Sequence, residues 1–258
     1  MLLFALFAAA PAAAQSAAQA RVVAFGLFGD QSVFESEANG AARILVKRFG
    51  GGPAIVRANT KTRADATLAA LATSLQSAAN GIDAERGVLF VILTSHGSPD
   101  GLVVKAGDRV ETLAPRTLAT LLDRAGVRHR VVIISACYSG IFMPRLANAD
   151  TLVITASDAD HPSFGCRDGA RWTYFGDAFF NIALRSTGDL KDAFALASTL
   201  VRKREQRNGF AASNPQMAGG ENVEPLLRGS TAARRTAEDR TGRAASPRLA
   251  GEGLLQAR

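Results

Sequence analysis

The sequence predicts an α/β fold: an open, mostly parallel sheet with helices on both faces. Strand-like apolar runs alternate with longer amphipathic stretches from Arg21 to Leu227, the order that builds parallel sheets through helical crossovers. Some runs are apolar throughout. Seven of the eight residues from Val88 to Ser95 are apolar or β-branched, as in a strand covered on both faces. The helical stretches are punctuated at their ends: "PRTLATLLDRAG" begins on Pro115 and stops at Gly126.

In chain order, "RVVAFGLF" is the first strand and "SVFESEANGAARILVKRFG" a helix ending at Gly50. "AIVRA" is the second strand, followed by the amphipathic helix "TRADATLAALATSLQSAAN", which Asn80-Gly81 closes. "GVLFVILTS" is the third strand. "LVV" and "DRVE", flanking Gly107, form a small hairpin outside the main sheet. After the Pro115 helix, "HRVVIISA" and "DTLVITAS" are the fourth and fifth strands. "WTYFGDAFFNIALRS" and "LKDAFALASTLVRKREQ" are the last helices, and "SNPQMAGG" from Ser213 is an irregular, turn-rich stretch placed to line a cleft.

The two ends of the 258-residue chain differ from its body. Residues 1–20, "MLLFALFAAAPAAAQSAAQA", are too short an apolar run to span a membrane, which takes about 20 apolar residues, and suit a signal-peptide core. Cleavage after Ala14 or after Ala20 satisfies the small-x-small rule, although no Lys or Arg precedes the run. The expectation is a periplasmic or secreted protein whose folded domain covers 21–227, with no stable membrane span beyond the leader. Residues 228–258 carry seven arginines against three acids and lack apolar periodicity, so they are expected to be a disordered basic tail. No aromatics interleave with the charges, so no nucleic-acid partner is expected despite the net charge of +7. No spacing suits a metal, and no glycine-rich phosphate loop appears; neither metal nor cofactor is expected.

Function in an open α/β sheet gathers beyond the C-terminal ends of its strands. The third strand ends at His96-Gly97 and the fourth at Cys137, in "SACYSG". If these strands are neighbours, an imidazole and a thiol emerge together, the minimum for acyl transfer through a thioester. Gly97, lacking a side chain, lets backbone N–H groups approach a developing oxyanion. Against this stands the plain alternative of a structural histidine and a small buried cysteine.

His-Gly after one strand and Ala-Cys-x-Ser-Gly after the next resemble the caspase-like cysteine peptidases, most closely the legumain (asparaginyl endopeptidase) family, in a bacterial-type exported form. The separation of 137 − 96 = 41 residues is similar to the roughly fifty of caspases. "VITASDADHPSFGC" and "TYFGDAFF" resemble the family's strand and loop after the nucleophile and its Thr-Tyr-Leu-Gly-Asp segment. The resemblance implies a caspase-like sheet and a cysteine endopeptidase acting on peptides or proteins. In it Cys137 is the nucleophile, His96 the acid/base, and the N–H groups of Gly97 and Cys137 the oxyanion hole. It places Asp177 at the base of the pocket for the residue before the scissile bond, with Ser163 as a wall. Ser135 stands where legumains have a Glu. Ser32 and Phe34 take the places of their Asn and Arg, with Glu35 alongside. One acid and no arginine leave asparagine and a cationic side chain both open as the preferred residue. A transamidase using the same thioester, a silent binding module, and a Cys137–Cys166 disulfide also stay open.

Overall fold

The computed structural model describes residues 20–228, so the leader up to residue 19 and the tail from residue 229 lie outside the described residues. The main sheet has six strands in the order β2 (Ile55–Ala58), β1 (Ala20–Gly26), β3 (Val88–Thr94), β7 (His129–Ser135), β8 (Thr151–Thr155), β9 (Gln216–Ala218). All neighbours are parallel except β8 and β9. A second, three-stranded antiparallel sheet holds β4 (Gly97–Ser98), β5 (Gly101–Ala106) and β6 (Arg109–Leu113). The expected α/β class, and the hairpin beside the sheet, are both found.

The period-two geometry of a strand divides β3 between two cores. Val88, Phe90 and Ile92 pack with α1 (Ser32–Phe49) and α7 (Leu190–Arg207) on one face. Leu89, Val91 and Leu93 pack with α2 (Leu68–Ala79) and α3 (Pro115–Ala125) on the other. All six are 0% exposed. Each fully buried side chain of this size contributes about 1.5–3 kcal/mol, which is why the run has no polar face. Local signals fix the helix starts: the Thr67 hydroxyl accepts from the Ala70 N–H, and the Asp189 carboxylate from the N–H groups of Lys191 and Asp192.

The structure departs from the sequence reading in three places. "SNPQMAGG" is not wholly irregular, because residues 216–218 form the antiparallel edge strand β9, too short for periodicity to reveal. The stretch from Trp172 turns helical only at α5 (Tyr174–Gly176). It widens into a π-helix (Asp177–Ala183) before α6 (Leu184–Ser186). Arg228, expected to open a disordered tail, instead belongs to a helical segment over 223–228 and pairs with Asp189 and Glu224. Among the described residues no helix is long and apolar enough to cross a membrane.

Candidate active site

From β1 the chain moves outward to β2, then returns past β1 to β3 and onward to β7 and β8. The crevice of such a sheet lies where this direction reverses, between the C-terminal ends of β1 and β3. His96 stands there, two residues past Thr94. Thr94 is paired in register with Ser135 of β7, and Cys137 is two residues past Ser135. The ladder continues beyond the strands, since the Ser95 N–H donates to the Ser135 carbonyl at 3.2 Å. The sheet therefore carries His96 and Cys137 to matching positions on adjacent strands.

The half-buried ring of His96 is gripped edge-on by Phe28 and Phe34, with centroids 4.6 and 5.1 Å away. Its Nε2–H donates to Oε1 of Gln31 at 2.7 Å, which leaves Nδ1 as the basic nitrogen. Burial without a charged partner holds its pKa below the usual 6.5, so the imidazole is neutral at pH 7. Gln31 was not foreseen from the sequence. It lies in the β1–α1 connection, 65 residues from His96, with no periodic or motif signal.

Cys137 opens a sharp turn. Tyr138 after it has φ 55°, a left-handed conformation unusual for a residue with a side chain, and the 3-10 turn Ser139–Phe142 and α4 (Met143–Leu146) follow. The sulfur meets the loop after β8: the Ser163 N–H donates to Sγ at 3.3 Å, the Ser163 hydroxyl approaches at 3.8 Å, and the thiol donates to the Ser163 carbonyl at 3.3 Å. At Gly97 a Cβ would fall 2.1 Å from the Cys137 carbonyl oxygen, so only glycine lets β4 lie against the Cys137 backbone. Both cysteines are free, and the disulfide alternative is not formed. Burial, then the nearby Cys137 and Glu37, push the Cys166 thiol up to about 12.

Beneath this edge lies a buried acid. Glu37, on α1 and 0% exposed, accepts from the Thr94 hydroxyl at 2.9 Å and from the Thr173 N–H at 2.8 Å. Thr173 caps α5 and shares a 3.1 Å hydroxyl bond with Ser135. Burial raises the carboxyl of Glu37, while hydrogen bonds from Ser135, Thr173 and Thr94 oppose the shift. The sequence held a signal for it, since Glu37 falls on the buried stripe of α1 with Val33, Phe34, Ala38 and Ala41.

A model of the peptidase C13 family matches residues 68–223, more than half of the chain. The chain belongs to the peptidase C13 family. No curated protein matches it. Among solved structures it is similar to caspase-1 from Spodoptera frugiperda, with a TM-score of 0.53 over 78% of this chain and 86% of that one. Identity there is 16%, so the likeness speaks for the fold alone, and that fold is caspase-like. Family membership supports a cysteine-type peptidase with peptide or protein substrates.

In this C13 peptidase fold the other expected site residues are spread out. Ser163 contacts the Cys137 sulfur, and Ser135, two residues before Cys137, is tied through Thr173 to Glu37. Asp177, at the head of the π-helix, is not a lone carboxylate. Arg204 of α7 pairs with it at 3.2 Å, and the Asn181 amide donates to it at 2.9 Å. The acid that the sequence reading left without an arginine thus has one beside it, supplied by α7. Arg204 also lies over the Tyr174 ring at 3.9 Å. Glu35 is paired with Arg63 and lines a separate polar cleft with Ser32, Lys61 and Asp168. In that cleft the Ser32 N–H and hydroxyl, and then Lys61, hold the Asp168 carboxyl well below its usual range. His129 is a buried residue at the start of β7, 3.6 Å from Asp150 and at the far end from the site. His161 donates from Nδ1 to the Asp158 carboxylate, and its carbonyl accepts from the Tyr138 N–H. Among the described residues no cluster suits a metal ion.

Proposed function

We propose that this chain is a cysteine endopeptidase that cleaves through a thioester on Cys137, with His96 as its acid and base. The observation that carries the reading is the β3–β7 register, which sets a neutral imidazole and a hydrogen-bonded thiol equally far past paired residues. The Cys137 thiol gives its proton to Nδ1 of His96, and Sγ forms a bond to the scissile carbonyl carbon. The resulting oxyanion is met by the N–H groups of Gly97 and Cys137. The C–N bond breaks as the imidazolium protonates the departing amine, and water then hydrolyses the thioester to acid and thiol.

Asp177 and Arg204 together present one acceptor and several donors, the complement of a carboxamide rather than of a lone cation. We therefore assign an asparagine-type residue to the position before the scissile bond. The test is cleavage of a peptide library by the wild-type protein and its Cys137→Ala form. Carboxamide-directed cleavage lost in the variant is expected. A preference for Lys or Arg would overturn the specificity, and undiminished cleavage by Cys137→Ala would overturn the mechanism.

Export belongs to the same proposal and rests on the apolar leader. Ala20 is already paired with Val88 in β1, so processing after Ala14 leaves the strand whole. N-terminal sequencing of the secreted protein is expected to begin at Gln15. A start at Met1 would remove the export reading.

A further inference from the structure

Between α1, the loop before α5, the π-helix and α6 lies a cavity of about 480 Å³, lined by none of the residues of the proposed reaction. Its lining includes Gly40 and Arg43 of α1, Arg171 and Trp172 of the loop before α5, Asn181 of the π-helix and Arg185 of α6. Three arginines from three separate parts of the fold thus line one concavity. None of the three has a carboxylate partner among the described residues. The nearby acid, Asp177, is taken up by Arg204 and by Asn181. Even the carbonyls that would repel an anion at the end of α6 are covered, because Arg48 donates to those of Leu184 and Arg185 at 2.9 and 2.7 Å. The concavity is built by packing. A Cβ at Gly40 would fall 2.5 Å from the Trp172 ring, so glycine is what seats the indole against α1, where it stacks on Phe180.

The three guanidinium groups in the lining are donors only, Trp172 adds an indole N–H donor, and Asn181 carries both a donor and an acceptor, its NH2 group donating to Asp177. Arginine forks match phosphate oxygens in pairs, and unpaired arginines held close together repel one another until an anion joins them. We propose that this cavity binds a multiply phosphorylated anion. Its volume falls within the range of small-ligand sites and exceeds what one phosphate group needs.

The probe is tripolyphosphate, added to the full-length protein at about 0.15 M salt, where diffuse surface attraction is largely screened. Saturable binding by calorimetry and a rise in Tm are expected. Binding should weaken at least about tenfold in R43Q/R171Q/R185Q, since three charge-assisted fork contacts are removed. Arg43→Glu, which puts a carboxylate into the cavity, should abolish the response without changing the Tm of the free protein. R202Q/K203Q, exposed on α7, should bind as the wild type does. Phosphatidylcholine vesicles with and without phosphatidic acid separate the two sources of such a group. Arginine-dependent capture by phosphatidic acid supports a lipid headgroup in the cavity, and its absence beside tripolyphosphate binding supports a soluble ligand. No saturable binding of tripolyphosphate, or equal binding by the triple variant, would overturn the proposal.

Discussion

Past the end of β3, His96 is wedged between Phe28 and Phe34 and among the described residues has one polar side-chain partner, the neutral amide of Gln31. Past the end of β7, Cys137 meets the backbone and hydroxyl of Ser163 across a loop that returns from β8. The histidine is set by apolar packing that suppresses its charge, the cysteine by polar contacts to a single loop residue. The two surroundings differ because different elements cover each strand end: the β1–α1 connection and α1 over His96, and the loop after β8 over Cys137.

The largest test of this contrast compares the two thiols. Iodoacetamide at pH 7.5 is expected to label Cys137 well before Cys166, whose thiol burial pushes up to about 12. Cys137→Ala should lose at least about 10³-fold in turnover, and Cys166→Ala should stay within about threefold of wild type. Faster labelling of Cys166 would reverse the assignment.

Next comes the amide behind the histidine. Gln31→Ala is expected to lower kcat/KM by about 10–100-fold, as losses of an orienting partner do. In the wild type the acid limb of kcat/KM lies below pH 6.5, because burial disfavours the His96 cation. A carboxylate in place of the amide favours that cation, so Gln31→Glu should move the limb upward. An unmoved limb would mean that His96 is not the titrating base.

Closer in effect to the scaffold is Gly97→Ala, whose new methyl meets the Cys137 carbonyl. A loss of about 1–3 kcal/mol in stability is expected from denaturant unfolding, with activity falling as β4 moves. Full stability and activity would show that the approach of β4 to β7 is not tight.

The smallest effect concerns Glu37. Its pKa is raised in the folded protein, so the folded state keeps this proton to higher pH than the unfolded chain. The group's contribution is then complete below about 4.5 and declines as pH rises through the raised value. Urea midpoints of Glu37→Gln should lack that decline. An unchanged pH dependence would show that Glu37 does not titrate in this window.

The sequence by itself determined the five parallel strands, the helices on both faces, the outlying hairpin, and the emergence of His96 and Cys137 at two strand ends. These were legible because a strand buried on both faces must be apolar throughout, so its last residue is marked by the first polar one. Glu37 was also marked, as a charge on a buried helical stripe, although the pattern does not say what it bonds. Only the tertiary structure decided that Gln31 faces His96, that Arg204 neutralises Asp177 across 27 residues, and that Arg43, Arg171 and Arg185 share one cavity. It also decided that residues 216–218 close the sheet as β9. Each of these joins polar groups on different elements. Local periodicity records which face of an element avoids water, but a polar contact between distant elements is fixed only when their apolar faces have packed and set the distance between them.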